Sequence, residues 1–498
     1  MKKIALFFAT ALMLVSCDLD INENPNYPAS ADITSDLMFP AVENSIADCI
    51  GDQMFNYAGF FAQYFEQAPT ANQYNTLAEL DINEGTDLFN RCYSALYAGA
   101  LMDIKDIMGK TDNPSNLFAL TVMRAQAFQV LVDNLDKVPY TEALQGSSNA
   151  MPAWDEGKTV YEGVLAELDE AEAALGNEAI TMTDPMLGKS LSQWKGYANA
   201  LRLRMYMRLI DGNVNVADYQ SKATALVAAD NFFSGDVAWD VYTNASGQYS
   251  PWYGAYYRLG TVNHCAAYPI VSYMLATDDP RIGAYMNTAS NSGEYYGQLP
   301  GCKTLMGPWN GGEAADWKNE DVSNINYAAV AAAPIYLFTQ AELQFLIAEV
   351  QLRFNNNAAA AKAAYTAAVE ADFASRGVDG AATFLAGNRA NFDNQTSTDA
   401  KLKLIYMQKW TAFFMRNHME AWSEIRRTDV PALSDKTAKQ VFDDGTVYTA
   451  GELIEPGVNN IVAGGLAKRV PYPSNARVLN RNTPEAKLLS DRVFWDAK

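Results

Sequence analysis

A mainly α-helical scaffold carrying one irregular, loop-rich half is the fold that this 498-residue sequence predicts. Three observations predict it. Apolar and small side chains recur at helical spacing through the first 212 residues and again from 337 to about 425. Between these blocks, over 213–334, the texture changes to Gly, Asn, Ser and aromatic residues, which suit loops, short strands and short helices. Apolar residues make up 49% of the chain, enough to build the core of a single domain over 36–498.

The first element is not part of that domain. Lys2 and Lys3 precede the apolar run from Ile4 to Val15, which is shorter than the roughly 20 residues of a permanent membrane span. The run closes on Leu14-Val15-Ser16-Cys17, which resembles a bacterial lipobox. That resemblance implies a signal peptide over 1–16 and lipid on the Cys17 sulfur, with 17–35 as a polar, acidic tether. The expected product is an exported protein anchored by lipid rather than by a helix.

Helices then follow in order. Residues 36–63 and 87–108 carry helical periodicity. In the next segment Phe118, Val122, Ala125 and Val132 share a stripe. After a helix over 159–175, the stripe Trp194, Ala198, Leu201, Met205, Leu209 predicts another, with Arg202, Arg204 and Arg208 largely on its flanks. Beyond the irregular insert, Phe338, Ala341, Phe345, Ala348 and Leu352 alternate spacings of three and four, and 359–375 and 400–416 continue the block. Small residues on such stripes let helices approach closely, as in paired-helix repeats, although no 34-residue identity recurs. Trp410, Trp422, Arg426, Arg427 and Arg91 read as scaffold. The tail over 430–498 is irregular again.

Charge and residue usage remove several function classes. Net charge is −21, and −23 once 1–16 are removed, so phosphate backbones and anionic membrane surfaces are repelled and nucleic acid is not an expected partner. Cys49, Cys92, Cys265 and Cys302 form no Cys-x-x-Cys pair; buried free thiols are expected, with a bridge between two of them as the open alternative. The only histidines, His264 and His418, lack zinc-protease spacing and read as structural. Leu187-Gly188-Lys189-Ser190 imitates the end of a phosphate-binding loop, but Thr183 stands where its first glycine is required. A Gly-x-Ser-x-Gly elbow is absent, and 58 acidic residues single out no glycosidase pair. No cofactor is expected. Loop carboxylates around Asp278-Asp279 offer ligands for structural calcium without defining a site.

Beginning at DNLDKVPYTEAL (133–144), the chain resembles the SusD/RagB family of outer-membrane lipoproteins. MPAWDEGKTVYEGVLAELDEAEAAL, QWKGYANALRLRMYMRLID, YPIVSYMLATDDPRI, PIYLFTQAELQFLIAEVQLRF, QKWTAFFMRNHMEAWSEIRRTDVPAL and AKRVPYPSNARVLNRN follow in the family's order. CDLDINENPN resembles its mature start, and the QKW…EAW…RRT segment is most similar to the second SusD-like subfamily. Ser474-Asn475-Ala476 departs from the pattern, standing where the family often has an acidic residue. The resemblance implies tetratricopeptide-like helix pairs under a variable half. It also implies a non-catalytic role at the cell surface: capturing oligosaccharide and handing it to a SusC-like TonB-dependent transporter. Peptide cargo on the same fold, a secreted glycoside hydrolase, and a helical-repeat scaffold without small ligand are the alternatives.

A sugar ring offers apolar C–H faces rimmed by hydroxyls, so its receptor needs flat aromatic side chains beside Asn, Gln, Asp, Lys or Arg. Residues 239–317 hold four tryptophans and ten tyrosines, where an even spread of the 36 would place about six. The expected platforms are Trp252, Tyr253, Tyr256 and Tyr257 in QYSPWYGAYYRLG, and Trp309 and Trp317 in MGPWNGGEAADWK, with Asn310 supplying hydrogen bonds. Tyr74 in NQYNTL ranks behind them.

Overall fold

A computed structural model describes residues 34–254, 262–301, 317–457 and 465–497. Cys17, Tyr256, Tyr257, Cys302, Trp309 and Asn310 lie outside the described residues. The chain enters on α1 (Ser35–Gly51) and α2 (Gln53–Phe61), and β1 (Phe65–Gln67) follows. α3 (Asn90–Ser94) widens through a π-helical stretch at Ala95–Leu101 into α4 (Met102–Met108). α5 (Pro114–Leu135) starts at Asn113, whose side chain accepts from the backbone N–H of Ser115 and Asn116. α6 (Gly157–Ala173), α7 (Leu191–Asp211) and α8 (Val216–Ala229) complete the first block.

The second block contains α10 (Gln340–Arg353), α11 (Ala358–Ser375), α12 (Thr398–Phe413) and α13 (His418–Thr428). Before it come β2 (Val237–Trp239), β3 (His264–Ala266), α9 (Tyr268–Ala276) and β4 (Ile335–Phe338); α14 (Ser474–Leu479) lies in the tail. α5 packs on α6, α7 on α8, α10 on α11 and α12 on α13. Loops of four residues join the last three pairs, so each pair folds back as a helical hairpin, the tetratricopeptide-like organisation.

α8 is a 14-residue helix inside the stretch expected to be irregular. Its Tyr219, Ala223 and Val227 are buried, and Tyr219 packs on Tyr206 of α7 at 5.3 Å. The rest of the insert is stitched to the scaffold by two antiparallel pairs. Phe65, Glu66 and Gln67 face Ala266, Cys265 and His264, while β2 pairs with β4 through a bulge at Val237/Ala238.

Arg202, Arg204 and Arg208 are not on the flanks of α7. All three are buried, at 3%, 1% and 0% exposure. An arginine enters a core when carboxylates on neighbouring elements take its fork, and α7 lies among four such helices. Arg204 donates to Glu342 at 2.8 Å on both oxygens, and Arg208 donates to Asp133 and Glu420. One turn of chain further, Asp211 accepts from Arg353 and Arg427, and Arg427 also donates to Glu349 and Glu424. The chain of ion pairs crosses α5, α7, α10 and α13. Trp410, Trp422, Arg426 and Arg427 are buried scaffold.

Asp279 and Asp278 do not form a calcium pair. Both Asp279 oxygens accept from Arg281, at 2.9 and 2.6 Å, and Arg281 in turn ties α9's end to Asp372 of α11 and Gln408 of α12. Among the described residues no cluster of three His, Cys, Asp or Glu is placed to hold a metal ion. Cys49, Cys92 and Cys265 are free, buried thiols. No described helix is long and apolar enough to cross a membrane.

Candidate functional site

A cavity of about 500 Å³ opens where α2, the 72–91 segment and the start of the insert meet. That volume lies within the usual range for a small-molecule site. α1 breaks at Asp52 (φ −119°, ψ −90°), and α2 leaves the junction presenting Gln53, Asn56 and Tyr57, spaced to share one face. Gly59 on α2 keeps this approach close: a Cβ there would stand 2.5 Å from the Phe65 ring and 2.9 Å from His418 Nδ1.

Opposite α2, Tyr74 is half-buried beside a single helical turn, Asn75–Ala78, that presents Thr76 and Leu77. Its backbone N–H donates to Gln67 Oε1 on β1. Its ring is tilted against Phe60 at 5.8 Å and His264 at 4.7 Å, and the residue borders the opening. Thr86, Leu88 and Arg91 close the third side. Arg91 donates to Asp52 and stands 3.8 Å from Asp48, and these contacts with the two carboxylates hold its guanidinium charge more tightly than burial loosens it.

His264 forms the floor. Its Nε2 lies 2.6 Å from Asn56 Oδ1, an acceptor, so the proton sits on Nε2. Burial among Phe60, Phe65, Tyr74 and Trp252 pushes its pKa down to about 3, and the ring is neutral under physiological conditions. The cavity wall is thus amide, hydroxyl and aromatic, with a single ion pair at one end.

The expected aromatic residues fare differently. Trp252 borders the cavity but is not a platform: it is 5% exposed, with Phe65 stacked on it at 5.3 Å and Tyr327 at 5.2 Å. With both faces covered only an edge remains, and its indole N–H meets no acceptor among the described residues. Trp317 is likewise 5% exposed, packed with Ala68, Cys265 and Val322, and its N–H donates to Gln298 Oε1 at 2.7 Å. Tyr253 is half-buried edge-on to Tyr249 at 4.9 Å and does not border the cavity. Tyr74, ranked behind them, is the ring best placed in the wall.

Arg91 and His264 are cavity residues, not scaffold alone. The sequence alone does not single out Asp52, Gln53, Asn56, Gln73, Thr76 and Thr86, because each is an ordinary surface type. The clustering of amides and a hydroxyl around Tyr74 in NQYNT was the one local signal.

The family described as "Starch-binding associating with outer membrane", the second SusD-like family, matches residues 25–449. The chain belongs to it. No curated protein sequence matches this SusD-like protein. A SusD homologue from Bacteroides uniformis superimposes with a TM-score of 0.72, at 22% identity over 93% of this chain and 99% of that one. A chitin-binding SusD homologue from Flavobacterium johnsoniae gives 0.69 and 22% over 93% and 98%. A SusD homologue from Bacteroides vulgatus gives 0.69 and 21% over 89% and 92%. At these identities the likeness establishes the SusD-like fold.

Proposed function

We propose that this protein is a non-catalytic glycan receptor whose binding site is the cavity around Tyr74. The observation that carries the reading is the lining of that cavity. Gln53, Asn56, Gln73, Thr76 and Thr86 supply both donors and acceptors, and Tyr74 offers a ring face for a pyranose. The family's association with starch and the outer membrane supports the same ligand class.

Hydrolysis needs two carboxylates on opposite sides of the scissile bond. Asp52 is the one carboxylate among the described lining residues, and Arg91 engages it. Capture without turnover is the reading this supports. Loading a SusC-like TonB-dependent transporter, with Cys17 lipidated at the outer-membrane surface, completes the proposal on the strength of the family resemblance.

Calorimetric titration of the purified domain with a panel of oligosaccharides tests it. Binding without release of reducing ends is expected, and Tyr74→Ala is expected to weaken it by about tenfold, the loss of one stacking ring. Turnover, or affinity indifferent to Tyr74, would count against the reading.

A further inference from the structure

Among the described residues, the charged groups in and beside the cavity wall lie at one end. Asp48 on α1 and Asp52 at the α1–α2 junction are one helical turn apart, and Arg91 reaches both from α3. The three add to one net negative charge. The other titratable lining groups, His264, Tyr57 and Tyr74, are neutral: burial lowers the histidine and raises both phenols. Outside the wall, the 79–87 stretch adds Glu79, Asp81, Glu84 and Asp87, and Arg477 stands 3.8 Å from Glu84.

Arg91 is the group that would otherwise receive a carboxylate or sulfate. Its Nη2 is already engaged by Asp52, with Asp48 3.8 Å from the same nitrogen. An acidic sugar either competes with Asp52 for that nitrogen or takes the other edge of the guanidinium, and in both cases it stands near two carboxylates that outnumber the one cation. A neutral hydroxyl faces no such barrier, because it accepts from the guanidinium edge and donates to a carboxylate at once.

We propose that Asp48, Asp52 and Arg91 form a charge filter, by which the cavity takes uncharged glycans and rejects those bearing uronate or sulfate groups. The inference rests on the glycan reading above and adds the ligand's charge class to it.

Matched titrations test it. Wild type and Asp52→Asn are titrated with neutral malto-, chito-, xylo- and manno-oligosaccharides and with oligogalacturonate and chondroitin fragments. Wild type is expected to bind a neutral member with affinity insensitive to added salt, and the acidic ones at least about tenfold more weakly. Asp52→Asn keeps the side chain's shape and frees the guanidinium, so it is expected to raise acidic-glycan affinity about tenfold relative to neutral. Asp48→Asn, at a more exposed position, provides the same readout if Asp52→Asn lowers the melting temperature. Acidic glycans binding as tightly as neutral ones to wild type, or a ratio unmoved in both variants, overturns the filter and leaves the glycan reading standing. Failure of every glycan to bind wild type overturns both.

Discussion

Tyr74 is half-buried beside Phe60 and His264 and borders the cavity, while Trp252, a larger ring, is buried between stacked Phe65 and Tyr327. Truncating them separates binding from folding. Tyr74→Ala removes a wall of the site with little effect on stability, whereas Trp252→Ala is expected to cost about 3–5 kcal/mol in urea unfolding because it empties the core. A second residue-scale test concerns Glu43 on α1. It is fully buried, and its carboxyl meets Asp184, which already accepts from the Leu187 and Lys189 backbone and from Trp194 Nε1. Burial first, and then Asp184, push the Glu43 pKa up to about 10 from 4.5. The folded state therefore holds a proton the unfolded chain gives up. This group's stabilisation is fully present below about pH 4.5 and declines as pH rises toward 10. Glu43→Gln is expected to be more stable than wild type at alkaline pH, with an advantage growing by up to about 1.4 kcal/mol per pH unit. Urea titrations at acid, neutral and alkaline pH check the sign; an advantage that shrinks with pH refutes it.

Between helices, buried ion pairs set the register of the stack. Arg204 and Arg208 of α7 face Glu342 of α10, Asp133 of α5 and Glu420 of α13, all with side chains at most 3% exposed. Desolvating these groups costs free energy that only their partners return, so removing one partner strands a buried charge. Glu420→Gln is expected to destabilise by about 3–5 kcal/mol in urea unfolding, and a loss near zero would mean that the network is not holding these helices. Glu349 shows the balance in its titration: burial raises its pKa, but Arg427 at 2.8 and 2.7 Å outweighs burial and holds it near 2. That stabilisation is present above about pH 4.5 and is lost as pH falls toward 2. The helices themselves were legible, since a stripe such as Trp194–Leu209 states which face is buried. The depth of Arg204 and Arg208 was not, because an arginine beside an apolar stripe reads as flank until carboxylates from three other helices are seen around it.

Across the whole molecule, a scaffold of paired helices carries the polar cavity around Tyr74. The tail closes on the core as well: Trp495 is fully buried and its N–H donates to Asp133 Oδ1 at 2.8 Å. Under the proposed function, lipid on Cys17 attaches the protein to a membrane surface. Cys17→Ser is expected to move the protein from the membrane to the soluble fraction without changing glycan affinity, as fractionation and titration together would show. Retention on the membrane would rule out the lipid anchor. Affinity purification from native membranes is expected to bring down a TonB-dependent transporter.

Most helix positions and the family were written in local periodicity and in ordered motifs, which survive in one dimension because each depends on neighbours along the chain. The site was not. Asp52, Asn56, Tyr74, Arg91 and His264 become a wall only when β1 pairs with β3 and α3 turns back on α1, and the same packing that gathers them seals Trp252 and Trp317 inside. Which aromatic ring meets solvent depends on what lies across it in space, and that is decided by tertiary contact alone.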